Sequence, residues 1–192
     1  PATIVMPEPT PTVKVENTRR YGAEVVLFGP SLEEASAQAH ELCMIRGLSF
    51  VHPYDDAKVI AGQGTIAVEM LSAVPDLDIL VVPIGGGGLI SGMAVAAKAL
   101  KPGIEVIGVQ AALYPSMYNA VKGTSLPTRG DTLAEGIAVK APGCLTLAHV
   151  RRVVDDIVLV SESDMERALS TLLTIEKTVV EGAGAAGLAA VA

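Results

Sequence analysis

The chain has 192 residues, half of them hydrophobic and only 18% charged, so it carries apolar content for a sizeable core and falls outside the disordered class. Its formal charge of −7 argues against a nucleic-acid partner, although a small anion held by backbone amides needs no basic side chain. Its two cysteines make no motif, its apolar runs are too short to span a bilayer and no signal peptide is visible, so the expected setting is reducing and cytoplasmic.

Strands and helices alternate along the chain. Strand character begins at Pro1, with Thr3–Pro7 as the first strand and no initiator methionine before it. A helix follows over Thr12–Tyr21, with Thr10 as its expected cap and Pro11 in its first turn. Ala23–Phe28 reads as a strand. Ser31 caps a helix to about Arg46 that Gly47 closes, and Leu48–Val51 reads as a third strand. Asp55 or Asp56 opens a helix ending near Val74. Leu77–Ile84 is a β-branched strand, and Leu89–Leu100 is an Ala-rich helix. Ile104–Val109 is a strand, Pro115–Lys122 a short helix, and Gly123 to Gly130 a loop. After the strand Ile157–Val160, Ser161 and Asp164 form a near capping box for a long helix. Leu188–Ala192 still lies inside a helical pattern, so the chain reads as an excised piece of a longer protein. Repeated strand-helix units imply a parallel sheet with helices on both faces.

Between the Leu77–Ile84 strand and its helix stand four glycines, Gly85 to Gly88. Side-chain-free residues at such a turn let backbone N–H groups converge on an anion, and the helix N-terminus adds partial positive charge. A phosphate is the natural ligand; an unliganded turn needs one or two glycines rather than four. A dinucleotide is disfavoured, because the fingerprint spacing is not met and Gln110 stands where a ribose-binding carboxylate belongs. No Gly-Lys-Ser/Thr follows, which excludes a nucleoside-triphosphate loop. A single phosphate on an organic cofactor remains.

Five segments then carry a resemblance: Val51-His-Pro-Tyr-Asp-Asp56, Ile60-Ala-Gly-Gln-Gly-Thr65, Val82-Pro-Ile-Gly-Gly-Gly-Gly-Leu89, Thr132-Leu-Ala-Glu-Gly-Ile-Ala-Val139 and Val180-Glu-Gly-Ala-Gly-Ala185. Together they resemble the fold-type II pyridoxal-phosphate enzymes, in the group of threonine dehydratase and serine racemase. The resemblance implies an α/β, tryptophan synthase β-like fold of two domains, incomplete in this chain. Residues 1–52 would finish the small domain, and residues 53–192 would form most of the cofactor domain. It implies pyridoxal 5′-phosphate as cofactor, with Gly85, Gly86, Gly87, Gly88 and Leu89 around its phosphate. Gly136 would lie by the pyridine ring. Glu135 would be near the ring or structural, and Glu181 near the ring or a helix cap. Gln63 and Thr65 read as packing and helix-start residues.

The implied activity is deamination of L-threonine, or serine, to a 2-oxo acid and ammonia through an external aldimine and β-elimination. Its partners would be an amino-acid substrate and further copies of the chain, with no nucleic acid or membrane, and isoleucine biosynthesis is the implied setting. Serine racemase-like chemistry, a nicotinamide-dependent oxidoreductase and a non-catalytic anion-binding fragment are the alternatives. The family's Schiff-base lysine segment is not found among these residues and is expected upstream of Pro1; Lys14, Lys58, Lys98, Lys101, Lys122, Lys140 and Lys177 read as solvated charge. The divalent-metal positions of some relatives correspond to Gln110, Tyr114 and Ser116, which lack carboxylates, so no divalent metal is expected. His40 and His149 read as surface residues, and His52 as a structural hydrogen-bonding group.

Overall fold

The computed structural model describes residues 2–192, and the strand character expected at Pro1 lies outside them. The chain divides into two compact units, with the boundary between Val51 and His52. In the first, β1 (Thr3–Met6) pairs in parallel with β2 (Glu24–Leu27), with Thr3 opposite Glu24 and Met6 opposite Leu27. Between them runs α1 (Thr12–Arg20). Pro11, not Thr10, takes the cap position and makes no side-chain cap bond. Its ψ of 133° is extended, so Pro11 stands outside the helix rather than in its first turn, and the helix starts at Thr12 as expected.

Helix α2 (Leu32–Arg46) follows its local signals. Ser31 Oγ accepts from Glu34 N at 3.3 Å, Glu33 and Glu34 sit in the first turn, and Gly47 closes the helix. His40 is exposed and stacks on Phe50 at 4.0 Å between ring centroids. The strand expected over Leu48–Val51 does not form, and Val51 is 70% exposed. A strand is defined by its ladder, and among the described residues no neighbour pairs with this segment.

The second unit carries a parallel three-stranded sheet in the order β3 (Ile79–Pro83), β4 (Glu105–Ala111), β5 (Asp156–Val160). Ile79 lies opposite Glu105 and Ile107 opposite Asp156. Alternate residues face opposite sides, as the period of two demands. Leu80, Val82, Val106 and Ile157 join one apolar cluster with α3 (Ala57–Ala73), α4 (Gly88–Leu100), α5 (Ser116–Lys122) and α6 (Cys144–Val153). Val109, Ala111 and Val160 join a second cluster with α7 (Glu162–Thr174) and α8 (Gly182–Ala189). The sheet is therefore covered on both faces, which explains its near-continuous apolar strands. Each fully buried Leu or Ile contributes about 1.5–3 kcal/mol.

Several caps match the sequence. Asp56 Oδ1 accepts from Lys58 N at 2.8 Å and Val59 N at 3.0 Å to open α3. Ser161 and Asp164 form the capping box of α7. Helix α8 closes at Ala189, ahead of the last residues. Helix α6 had no expectation, because its N-cap residue is Gly143 and no local side chain caps it. No helix of the described residues is long and apolar enough to cross a membrane.

Asp155 ties β4 to α4. Its carboxylate accepts from Val106 N at 2.7 Å and from Lys98 Nζ at 2.7 Å, and Lys98 also donates to Ile104 O at 2.6 Å. Burial opposes ionisation of Asp155, but the Lys98 ammonium and the Val106 N–H outweigh it and hold the carboxyl below its ordinary value. A depressed carboxyl contributes stability above its unfolded value, near 4, and loses it as pH falls through the folded value. Asp155→Ala is expected to cost the full-length protein about 1–2 kcal/mol at pH 7, since Val106 N–H loses its acceptor. Urea midpoints at pH 7 and pH 3 check this: the gap between wild type and variant narrows in acid.

Candidate functional site

The four glycines leave the carboxyl end of β3 and lead into α4, where an open parallel sheet places its ligands. Gly87 is the N-cap, with φ of 97° in the left-handed region, where a residue with a Cβ is strained. Packing supplies a reason for each of the four. A Cβ on Gly85 would lie 3.1 Å from Ile137 Cα, and one on Gly86 would overlap the Tyr54 ring. On Gly87 it would lie 2.6 Å from Met117 Cε, and on Gly88 2.9 Å from Tyr54 Cβ. The glycine count therefore reflects close approach as well as any ligand.

The hydrogen bonds are the sharper observation. Among the described residues, the N–H groups of Gly85, Gly86, Gly87, Gly88 and Leu89 donate to no protein acceptor. The carbonyls of the same turn are held. Ile84 O accepts from Gln110 Nε2 at 3.3 Å. Gly86 O accepts from Thr146 Oγ1 at 2.6 Å and from Gly143 N at 3.3 Å. Gly87 O accepts from Ser91 N at 3.0 Å. A run of free amides at a helix N-terminus, in a turn whose carbonyls are anchored, is an anion-binding arrangement.

Three side chains brace the turn from elsewhere in the chain. Asp55 accepts from Cys144 N at 2.9 Å, Leu145 N at 2.9 Å and Thr146 N at 3.0 Å, so it caps α6 from a distant segment. Its own N–H, with that of Tyr54, donates to His52 Nδ1 at 2.8 and 3.2 Å. His52 thus has the structural role expected, with its ring proton on Nε2. Gln110 is fully buried, and its Oε1 accepts from Tyr118 N at 2.8 Å in the first turn of α5. Burial, with the adjacent Asp55 carboxylate, pushes the Tyr54 phenol above its ordinary value. No local pattern marked Asp55, Gln110 or Thr146 for these tasks, because they serve elements other than their own.

Glu135 and Gly136 belong to a 3-10 turn, Glu135–Ile137, and both are exposed. Gly136 is next to Gly85: a Cβ on Gly85 would lie 3.5 Å from Gly136 O. On its other side a Cβ on Gly136 would lie 3.1 Å from Ala183 Cβ of α8. Glu181 occupies the N-cap position of α8, but its side chain makes no cap bond; its carbonyl accepts from Gly184 N at 2.9 Å. The structure therefore brings Gly85, Gly136 and the start of α8 together. Gln63 and Thr65 lie inside α3, not at its start, and Thr65 Oγ1 donates to Gly62 O at 2.8 Å.

The remaining candidates have structural partners. Ser116 Oγ donates to Val139 O at 2.8 Å and Tyr114 OH to Gly130 O at 2.8 Å. His149 Nδ1 lies 2.8 Å from Leu145 O. Lys101 pairs with Asp78 at 3.3 Å, Lys122 with Asp156 at 2.6 Å, and Lys177 Nζ donates to Thr174 O at 2.6 Å.

A parallel sheet covered by helices on both faces, with an amide-rich glycine turn at a strand's carboxyl end, defines an α/β protein of the phosphate-cofactor kind. Residues 1–192 match the family described as pyridoxal-phosphate dependent enzyme, and the chain belongs to that family. The chain is similar to L-threonine ammonia-lyase of Thermotoga maritima, with 48% identity over 193 residues, covering 100% of this chain and 48% of that protein. It is similar to L-threonine dehydratase catabolic TdcB of Escherichia coli strain K12, with 47% identity over 189 residues, covering 97% of this chain and 57% of that protein. Among solved structures, maize serine racemase matches with a TM-score of 0.92 and 36% identity, covering 99% of this chain and 58% of that one. The chain spans about half the length of the curated relatives it matches. The fold is therefore fold-type II, and the cofactor is pyridoxal 5′-phosphate rather than nicotinamide. The residues present fit that group: free amides at Gly85 to Leu89 suit a phosphate dianion, and the exposed Gly136 backbone lies next to them.

Proposed function

We propose that the full-length protein deaminates L-threonine, or L-serine, to a 2-oxo acid and ammonia. The free amides of Gly85 to Leu89 carry the cofactor half of this reading. The 48% identity across the whole chain to a threonine ammonia-lyase supports the substrate half. Residues 1–52 would complete a smaller domain, and residues 53–192 would form most of the cofactor domain; the division into two compact units next to this boundary supports the reading.

Pyridoxal phosphate, when bound, withdraws electrons from the substrate α-carbon, so that the α-proton and then the β-hydroxyl leave. The chain's own residues bind and orient. The amides of Gly85 to Leu89 hold the phosphate, and the N-terminus of α4 adds its partial positive charge. Gly136, with no side chain, would let the flat ring approach the backbone; Glu135 would lie near the ring or brace its own turn, and Glu181 would lie near the ring or serve the start of α8. Gln110, Tyr114 and Ser116 bind no divalent cation. The lysine that joins the cofactor is outside residues 1–192; the ion pairs of Lys98, Lys101 and Lys122 support this.

A racemase-like activity is the second reading, resting on the likeness to maize serine racemase at 36% identity. Purified full-length protein given L-threonine is expected to release 2-oxobutanoate and ammonia; D-serine from L-serine with no 2-oxo acid would favour the second reading. Inhibition by isoleucine would point to a biosynthetic setting. Borohydride reduction of the holoprotein followed by peptide mapping is expected to place the covalent cofactor label outside residues 1–192. Stoichiometric label on any lysine within them would overturn that assignment.

A further inference from the structure

The carbonyl anchors have a consequence for the amides. In a planar trans peptide, C=O and N–H point in opposite directions. The Gly86 carbonyl and the Gly87 N–H belong to one such unit. Thr146 Oγ1, at 2.6 Å, and Gly143 N, at 3.3 Å, hold that carbonyl toward the first turn of α6. The Gly87 N–H therefore points away from α6. A glycine pair is otherwise free to flip such a peptide, since both flanking residues populate either sign of φ.

Thr146 is itself fully buried and held on three sides. Its N–H donates to Asp55 Oδ1 at 3.0 Å, and its carbonyl accepts from Ser91 Oγ at 3.3 Å, one turn into α4. Gly143 O lies 3.2 Å from Thr146 Oγ1, so the hydroxyl proton stays between two carbonyls, with the Gly86 bond the shorter. The Asp55 carboxylate, on three amides at the start of α6, fixes where that turn stands relative to the glycines.

We propose that Thr146, held in place by Asp55, is a positioning residue that keeps the Gly86–Gly87 peptide turned so that the Gly87 N–H serves the cofactor phosphate. Thr146 touches neither phosphate nor substrate; it acts through the Gly86 carbonyl. This rests on the reading of Gly85 to Leu89 as the phosphate site. Losing the hydroxyl leaves the carbonyl with one longer bond, lets the peptide flip, and weakens recognition of the phosphate while sparing the ring.

The test compares pyridoxal 5′-phosphate with pyridoxal, which lacks the phosphate, on the full-length apoprotein. The wild type is expected to prefer the phosphorylated form by more than 100-fold. Thr146→Val keeps the shape and removes the hydroxyl. It is expected to lower affinity for pyridoxal 5′-phosphate about tenfold and to leave pyridoxal within twofold, while Thr146→Ser restores the wild-type ratio. Equal loss of both compounds, or an unchanged ratio in Thr146→Val, would overturn the proposal. A wild type with no preference would instead sink the phosphate reading of the loop. Should Thr146→Val fail to fold, Asp55→Asn is read by the same ratio, with a fall of about threefold expected and equal loss of both compounds counting against the proposal.

Discussion

Gly87→Val in the full-length protein is expected to abolish cofactor retention, seen as loss of the visible absorbance that accompanies bound cofactor and a fall in affinity of more than 100-fold. Three effects act together. A β-branched residue at φ of 97° is strained by more than the 1–2 kcal/mol typical of a left-handed residue. The new Cβ would lie 2.6 Å from Met117 Cε and 2.9 Å from Thr146 Cβ, so the turn must shift. A shifted turn misaims the free amides beside it. Gly123→Ala separates strain from site. Gly123 has a comparable φ of 70°, open space around its would-be Cβ, and a place at the end of α5. It is expected to lose about 1 kcal/mol of stability and no cofactor affinity. Unchanged cofactor retention in Gly87→Val would remove the glycine turn from the binding site.

Gly92→Ala is expected to destabilise the protein by about 3 kcal/mol or more. Helices α3 and α4 meet backbone to backbone at Gly64 and Gly92. A Cβ on Gly92 would collide with Ile60 O and Gly64 N, and neither is the end of a flexible side chain that could swing aside. Intrinsic helix propensity pulls the other way by about 1 kcal/mol, so the collision wins. Gly62, in the same helix α3, has nothing within 4 Å of its would-be Cβ. Gly62→Ala is therefore expected to raise stability by about 0.5–1 kcal/mol. Denaturant midpoints of the two variants, measured side by side, decide the matter; similar midpoints would mean that the helices do not approach as closely as described.

Most elements were legible because their causes are local. Ser31, Asp56 and the Ser161–Asp164 pair cap the helices that follow them, and Gly47 closes α2. The β-branched runs at Ile79–Pro83 and Glu105–Ala111 are buried on both faces, so their composition alone indicates a covered parallel sheet. The four glycines named the turn, and the five motif segments named the family and its cofactor.

What the sequence by itself determined, then, was whatever depends on neighbours a few residues away: caps, strand composition, the glycine turn and the motif order. Only the tertiary structure decided the rest. It denied Leu48–Val51 a strand, because a ladder needs a partner that no local pattern supplies. It gave α6 its cap from Asp55 and α5 its cap from Gln110, across 89 residues to Cys144 and 8 residues to Tyr118. It also set which carbonyls of the glycine turn are held and which amides stay free. The physical reason is the same in each case: a hydrogen-bonding group must find a partner somewhere, and when the partner comes from another element, only the packing of the sheet and its helices determines which residue that is.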